Sequence, residues 1–385
     1  MIICFECSKE TKRMLDVLLE SHSYDDYGQV IENALQTLHL LKREMGSSKT
    51  IIIGETRKSS QSAMESVLEE AEGHSLFHRS AVETTGRAVE ADVPNLFQRS
   101  GLERPSTFAE ISGETVAPGA QVSLDRWLFA MYNKLLPAKA NCRALAHLQA
   151  ELGSAVNLSV AHERVGEQVA RLGNYLKRID SKHKLKRDQA LSVAFPLSRD
   201  KGDKSVNRYV NQFVGGVNKT GEVSGMLWSL KLIGYSAHKD PMIMLTHAGW
   251  KLAELANPLL DGLHSEPSDK FSTEEVTHLL DHIRKHVQVE DYTYRTILAE
   301  VNRGHDSPDE LDAALRSLVL SGDADKYTDS FLSSQRSGAV SRMADLGLVT
   351  RVRKGVRVEY RVTERGLAYF NNGRGSGDKT KGEIQ

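Results

Sequence analysis

A pattern that occurs twice in the second half of the chain constrains its fold more than any other feature. The two copies cover residues 232–253 and residues 346–368. Each predicts a short strand, a turn, a second strand that ends in threonine, and a helix with glycine three residues after that threonine. A further helix is predicted before each copy. Two occurrences of one such order predict two structural units of the same kind.

The helix before the second copy, predicted over residues 333–346, carries side chains suited to reading DNA. Its apolar residues Val340, Met343 and Leu346 share one face. The other face carries short hydrogen-bonding side chains beside arginines: Ser334, Gln335, Arg336, Ser337, Ser341 and Arg342. A helix that enters the major groove needs such side chains to reach base edges. We therefore expect this face to be exposed and to contact DNA.

A basic hairpin is predicted directly after that helix. Residues 348–353 and 357–362 alternate apolar and polar residues around Lys354 and Gly355, where glycine supplies the positive φ of a tight turn. The basic side chains of this hairpin that we expect to contact phosphates are Arg351, Arg353, Lys354 and Arg357. A basic hairpin beside a groove-binding helix can straddle the phosphate backbone.

The order of helix, Leu-Gly-Leu-Val, basic hairpin, Tyr-Arg-Val-Thr-Glu-Arg-Gly and helix resembles the winged helix-turn-helix family of bacterial and archaeal regulators. The resemblance implies double-stranded DNA as a partner, although winged helices also serve protein contacts. The first copy has a short, nearly neutral turn at residues 237–241. The helix predicted before it, residues 222–232, carries Met226, Leu227, Trp228 and Leu230. That composition indicates packing or dimerisation, with DNA contact left open.

The N-terminal residues 2–44 resemble a ribbon-helix-helix repressor domain. A strand-like run holds Ile3, Phe5 and Cys7 on one face, a helix is predicted over residues 9–20, and after a polar turn at residues 21–26 a second helix carries apolar residues from Val30 to Leu41. The resemblance implies a strand that pairs with its mate in a second chain, and hence a homodimer. Five basic and eight acidic residues give this segment a charge of −3, and Glu6 lies on its outward face. We therefore predict dimerisation, rather than DNA contact, as its role.

These patterns predict a chain that is mainly α with small β-hairpins. The predicted parts are a ribbon-helix-helix domain (1–45), a connector of uncertain structure (46–122), a helical region (123–204), a winged-helix-like unit (205–263), a C-terminal winged helix-turn-helix domain (271–370) and a disordered tail (371–385). After the connector, regular helix is expected to resume at residue 123. A basic stretch at residues 177–204 is interpreted either as a nucleic-acid contact or as a charged helix end and loop.

Composition and motifs exclude several classes of protein. The net charge of −1 argues against a wholly basic nucleic-acid binder, and the 40% hydrophobic content indicates globular folding. Three cysteines are too few for a disulfide framework, and no apolar run approaches the ~20 residues that span a bilayer, so a cytoplasmic protein is expected. No catalytic motif, cofactor motif or metal site is predicted. His278, His282 and His286 recur every four residues on one helix and are interpreted as a solvated face rather than as a zinc site.

The sequence thus predicts a non-enzymatic, dimeric prokaryotic transcriptional regulator that binds double-stranded DNA. The alternative is a non-catalytic adaptor or scaffold subunit of a plasmid, mobile-element or phage-defence complex, in which winged helices contact other proteins. A third hypothesis, an enzyme, would require a site within the connector 46–122.

Overall fold

The computed structural model describes residues 93–111, 116, 120–153, 155–187, 189–197, 204–218, 221–236, 241–262, 270–319, 327–355 and 357–372. The ribbon-helix-helix segment, the greater part of the connector and nearly all of the tail lie outside these residues. The predictions for those parts therefore stay predictions.

Ten α-helices occur in the described residues: α1 (Leu136–Leu152), α2 (Leu158–Lys182), α3 (Lys204–Tyr209), α4 (Met226–Ser229), α5 (His247–Glu254), α6 (Thr273–His286), α7 (Gln288–Asn302), α8 (Pro308–Val319), α9 (Asp329–Asp345) and α10 (Glu364–Asn371). A single π-helical turn, Val210–Val214, extends α3. Within the described ranges the chain is mainly helical, as the sequence predicts.

Seven short strands form three antiparallel sheets in this part of the chain. The strands are β1 (Val156–Asn157), β2 (Gly216–Val217), β3 (Val223–Ser224), β4 (Ile233–Ser236), β5 (Met242–Leu245), β6 (Val349–Lys354) and β7 (Arg357–Val362). Their orders are β1-β5-β4, β2-β3 and β6-β7. These small sheets confirm the prediction of short β-hairpins beside a larger helical part.

Two predicted helices are wrong in extent. Residues 123–135 contain only a short 3₁₀ turn, Leu124–Arg126, and α1 begins at residue 136 with Pro137 in its first turn, a position that proline favours. The helix predicted over 222–232 shortens to α4. Gly225 before it has φ +119° and approaches Gly215 so closely that an added Cβ would lie 2.6 Å from the Cα of that residue. Lys231 after it adopts the left-handed conformation, which ends the helix.

The two sequence repeats share their hydrogen bonds as well as their order of elements. In the first repeat (residues 232–253), Thr246 Oγ1 donates to the carbonyl of Leu232 at 3.2 Å and accepts from the amide of Gly249 at 3.2 Å. The second repeat (residues 346–368) has the same two bonds, 3.1 and 3.0 Å long, among Leu348, Thr363 and Gly366. The threonine therefore caps the last helix of each repeat and ties it to the first strand.

The residue that ends the helix before each repeat is equivalent too. Lys231 has φ +54° and Gly347 has φ +66°. A left-handed conformation costs a residue with a side chain about 1 kcal/mol, whereas glycine adopts it readily. Lys184, after α2, is the other non-glycine residue with positive φ in the described part of the chain.

The buried apolar side chains of both repeats belong to one cluster. It runs from Val93 to Tyr369 and includes Leu232 and Trp250 of the first repeat and Leu348 and Tyr360 of the second. None of the described helices is both long and apolar enough to cross a membrane.

The histidines of α6 are not a solvated face, and that part of the interpretation is wrong. His282 is buried, and its Nε2 lies 2.8 Å from the carbonyl oxygen of Leu230, while His278 Nε2 lies 2.9 Å from that of Ala248. Only His286 is exposed. The row therefore docks α6 against the first repeat. In the described part of the chain, no group of three His, Cys, Asp or Glu side chains is placed to hold a metal ion.

We expect stability to fall when the pH drops from about 7 to about 5. Burial lowers the pKa of His282 from 6.5 to about 4, so the unfolded chain binds a proton in this range and the folded chain does not. This residue alone then accounts for about 2 kcal/mol, present above pH 6.5 and lost as the pH falls. Urea unfolding at the two pH values measures the loss. It should shrink in His282→Gln, and an equal loss in that variant would contradict the assignment.

Candidate nucleic-acid interface

The six residues of α9 that the sequence places on a DNA-reading face are divided between surface and interior. Ser334 and Ser337 are exposed. The others are buried: Gln335, Arg336, Ser341 and Arg342. The expectation of an exposed face is therefore wrong for four of the six.

Arg336 holds α9 against α8 and against β7 of the second repeat. Its guanidinium donates to both carboxylate oxygens of Asp312 on α8, at 2.7 and 3.2 Å, and to the hydroxyl of Tyr360 on β7 at 2.7 Å. It also donates to Ser333 Oγ at 2.9 Å. Burial opposes the charge, but the Asp312 carboxylate outweighs it and raises the pKa of Arg336 above its usual value. All three guanidinium nitrogens thus donate hydrogen bonds inside the protein.

Arg342 forms a fully buried ion pair with Glu290 on α7. The guanidinium Nε lies 2.6 Å from Glu290 Oε1 and Nη2 lies 3.1 Å from Oε2, and neither side chain has any exposed surface. Nη1 donates to the carbonyl of Tyr132 at 3.1 Å. Although burial disfavours the guanidinium charge, the Glu290 carboxylate raises the pKa of Arg342. This arginine has no route to a DNA base.

Residues 122–135, which we call the covering segment, lie across the C-terminal part of α9. Gln335 Nε2 donates to the carbonyl of Leu124 at 3.3 Å, and the amide of Leu135 donates to Asp345 Oδ2 at 3.0 Å. Gly338 permits the crossing, because a Cβ there would lie 2.6 Å from the carbonyl oxygen of Ala130. The covering segment therefore occupies part of the side of α9 that the sequence assigns to DNA, at Gln335 and Arg342.

A narrower face of α9 remains at the surface. Ser330, Ser334 and Ser337 are exposed and lie three or four residues apart, so they share one side of the helix. Phe331 next to them is 36% exposed, and its ring stacks on that of Tyr327 at 5.4 Å between centroids. This face offers hydroxyl groups but no cation.

The β6–β7 hairpin has the structure that the sequence predicts. Its strands pair in register from Val349 opposite Val362 to Lys354 opposite Arg357, and Gly355 in the turn has φ +65°. All four basic residues assigned to DNA contact there, Arg351, Arg353, Lys354 and Arg357, are exposed, as is Arg361. Opposite residues share a face, so Arg351 and Arg353 project from one side of the hairpin and the other three from the second side.

Glu359 is the single acidic residue of the two strands. Its carboxylate lies 2.8 Å from Lys354 Nζ and 3.7 Å from Arg361 Nη2. The hydrogen bond from Lys354 lowers the pKa of Glu359. Because Glu359 is on the face of Lys354, Arg357 and Arg361, it offsets only part of the charge there. Both sides of the hairpin stay positive.

Two more cations, Lys139 and Arg143, form ion pairs in the interior of the protein. Lys139 Nζ lies 2.9 Å from Glu275 Oε1 with both side chains fully buried, and Arg143 pairs with Asp261 at 2.7 Å. Both also donate to carbonyl groups at the end of α5, including that of Leu255. Burial lowers the pKa of Lys139 to about 8. These residues bind the first repeat to α1 and cannot reach a ligand in solution.

The exposed cations of the hairpin can pair with anions such as phosphate, whereas the exposed serines of α9 carry no charge and offer hydrogen bonds alone. These side chains are therefore better suited to the phosphate backbone of a nucleic acid than to an extensive set of contacts with its bases.

Comparisons of the chain with protein-family models, with known proteins and with solved structures found no match.

Proposed function

We propose that this chain binds duplex DNA, with the β6–β7 hairpin on the phosphate backbone. The observation that carries the proposal is the set of five exposed basic side chains on a hairpin whose strands contain a single carboxylate. Strand pairing fixes the backbone of the hairpin, so the conformational entropy lost when its arginines meet phosphates is mainly that of the side chains. The whole chain carries a net charge of only −1, so this positive charge is local.

The exposed N-terminal half of α9 completes the proposed interface. Ser334 and Ser337 have side chains short enough to let α9 approach a DNA groove closely. Their hydroxyl groups can hydrogen-bond to donors or acceptors on base edges and to phosphate oxygens. The proposed contact set is therefore Ser334, Ser337, Arg351, Arg353, Lys354, Arg357 and Arg361. Gln335, Arg336, Ser341 and Arg342 do not belong to it. The roles in transcription and in dimer formation stay part of the proposal.

The hairpin can be tested by removing three of its charges. In the hairpin variant, Arg353→Gln, Lys354→Gln and Arg357→Gln, the affinity for a labelled duplex should fall roughly 10- to 100-fold at low salt. Each lost phosphate contact also flattens the plot of log K against log salt by about 0.9. The slope should therefore be shallower by about 2 to 3 units. Fluorescence anisotropy between about 50 and 200 mM salt measures both quantities.

A matched control separates the hairpin from net charge. The control variant, Arg99→Gln, Lys251→Gln and Lys285→Gln, also removes three exposed cations, but from outside the interface. It should keep the slope of the unmodified protein. Absence of binding by the unmodified protein at low salt, or equal slopes for the two variants, would show that the hairpin does not bind DNA.

The adaptor function is a second candidate because of exposed apolar side chains. Phe129 and Met131 of the covering segment are 50% and 48% exposed, and Phe331 of α9 is 36% exposed. Large apolar groups at the surface favour protein contacts when they form one patch. Substituting Phe129 and Met131 with serine should leave DNA affinity within about twofold if the hairpin binds DNA. Loss of a stoichiometric partner on the same substitution, with no DNA affinity in the unmodified protein, would favour the adaptor.

A further inference from the structure

A second basic surface lies at the end of α2, far along the chain from the hairpin. Residues 177–187, the basic turn, hold six exposed cations: Lys177, Arg178, Lys182, Lys184, Lys186 and Arg187. The helix dipole accounts for a cation in the last turn, such as Lys182, but not for the three that follow the helix end. Since the whole chain has 50 basic and 51 acidic residues, six cations in eleven residues are a local accumulation.

The one acidic residue within the basic turn points inward. Asp180 is buried, and its carboxylate accepts hydrogen bonds from the amides of Leu191 and Ser192 at 2.7 and 3.0 Å and from Ser192 Oγ at 2.6 Å. The three donors hold the negative charge inside the turn. The charged side chains exposed between residues 177 and 187 are therefore all cations. Asp188, the next residue in sequence, lies outside the described residues.

The same contacts make the basic turn rigid. Asp180 holds Leu191 and Ser192, which follow the basic turn, against the end of α2, and the chain then runs back along that helix. Gly173 permits this return, because a Cβ there would lie 2.1 Å from the carbonyl oxygen of Pro196. Asn174 Nδ2 donates to the carbonyl of Leu197 at 3.0 Å. The backbone that carries the cations is thus fixed before any ligand binds, so the conformational entropy lost on binding is mainly that of the side chains.

Lys184 stands at a position that suits glycine better. Its φ is +52°, its amide donates to the carbonyl of Ser181 at 3.3 Å, and the next amide, that of Leu185, donates to the carbonyl of Asp180 at 2.9 Å. This pair of bonds is the helix ending at which glycine is usual, as Gly347 is after α9. Strained residues of this kind cluster at functional sites. A lysine at this position places a cation at the tip of the turn.

We propose that the basic turn is a second contact surface for duplex DNA, in which Lys182, Lys184, Lys186 and Arg187 bind backbone phosphates. This inference rests on the proposed DNA binding by the hairpin and extends it to a longer footprint. The contacts are to phosphates, so they add affinity and salt dependence but no preference for sequence.

The test uses a variant that removes the charge without weakening the fold. The turn variant combines Lys184→Gly, Lys186→Gln and Arg187→Gln, and glycine at position 184 relieves the strained backbone. We expect the thermal unfolding midpoint to stay level or rise, while duplex affinity falls roughly 10-fold and the salt slope becomes shallower by about 2 to 3 units. Hydroxyl-radical footprints should lose one part of the protected region and keep the part that the hairpin protects.

The hairpin variant and the control variant give the comparison. If the turn variant binds as the control variant does while the hairpin variant is weakened, the second surface is refuted and the proposed function stands. If the unmodified full-length protein does not bind the duplex, both proposals fail. Weakening of both the turn variant and the hairpin variant, with each folded, supports two separate surfaces.

Discussion

Replacing Glu290 with glutamine is expected to lower the free energy of unfolding by about 3–5 kcal/mol, as is usual when one partner of a buried ion pair is lost. The pair that Glu290 forms with Arg342 has no exposed surface on either side chain. Without the carboxylate, a guanidinium that stays charged would remain in the interior with the Tyr132 carbonyl as its other partner. Urea unfolding followed by circular dichroism measures the change.

An exposed pair provides the control for this prediction. Arg164 and Glu151 are as close, at 2.8 Å, but their side chains are 38% and 50% exposed. Glu151→Gln should therefore change the free energy of unfolding by less than about 1 kcal/mol. If Glu290→Gln lowers the free energy of unfolding no more than Glu151→Gln does, the predicted contribution of the buried pair would be wrong.

Removing both charges should be far less harmful than removing one. In the double variant Glu290→Met and Arg342→Met, apolar side chains replace the pair and no charge is left buried. The free energy of unfolding of the double variant should stay about 1 kcal/mol below that of the unmodified protein, because the Tyr132 carbonyl loses the donor that lies 3.1 Å away. The double-variant cycle thus measures the coupling between α7 and α9 directly.

This result decides which arginines can be used to study DNA binding. Substituting Arg336 or Arg342 would abolish binding by unfolding α9, whatever the hairpin does. Variants of Arg353 and Arg357 carry no such ambiguity, because those side chains are exposed. A DNA-binding defect in Arg342→Met that is matched by Glu290→Met would show that both act through the fold.

The elements of the second repeat could be predicted because their signals are local. Alternating residues, a Lys-Gly turn and a threonine three residues before glycine all act within a few positions, and β6, β7 and α10 lie where those signals place them. The matching hydrogen bonds of Thr246 and Thr363 explain why the repeat was visible in the sequence at all.

The burial of α9 could not be predicted, because its partners are distant in the chain. Arg336 meets Asp312 and Tyr360, each 24 positions away, and Arg342 meets Glu290 at 52 positions. An arginine on a polar helix face has the same local pattern whether it meets DNA or a buried carboxylate. The covering segment adds contacts over 210 positions, such as that of Leu135 with Asp345, and no local pattern encodes them.

The basic turn lies between these cases. Its charge is evident in the sequence, but the sequence favours neither a nucleic-acid contact nor a charged helix end over the other. Its rigidity and its inward-facing Asp180 depend on Leu191 and Ser192, which lie 11 and 12 positions away. Those contacts are what favour a binding surface over a solvated helix end.

The glycines of the repeats should be as sensitive to substitution as the buried ion pair. A Cβ on Gly249 would lie 2.0 Å from the carbonyl oxygen of Leu232, and one on Gly366 would lie 2.1 Å from that of Leu348. Both obstacles are backbone atoms, so strand and helix must separate to admit a methyl group. Gly249→Ala and Gly366→Ala should each destabilise the protein by about 3 kcal/mol or more.

Gly304 provides a matched control for these substitutions. It has φ +101° and open space around it, so alanine there should cost about 1 kcal/mol in backbone strain and produce no clash. Should the two repeat glycines tolerate alanine as well as Gly304 does, the close approach of helix and strand would be wrong.

The position of the tryptophans turns the same variants into a test of cooperativity. None of the three tryptophans, Trp127, Trp228 and Trp250, lies within residues 346–368, so tryptophan fluorescence reports on the second repeat only through the elements packed against it. Yet one apolar cluster joins both repeats. We therefore expect Gly366→Ala to lower the tryptophan-monitored midpoint as Gly249→Ala does. If that midpoint stays fixed while circular dichroism shows an earlier loss of structure, the second repeat unfolds independently and the shared core does not couple the two.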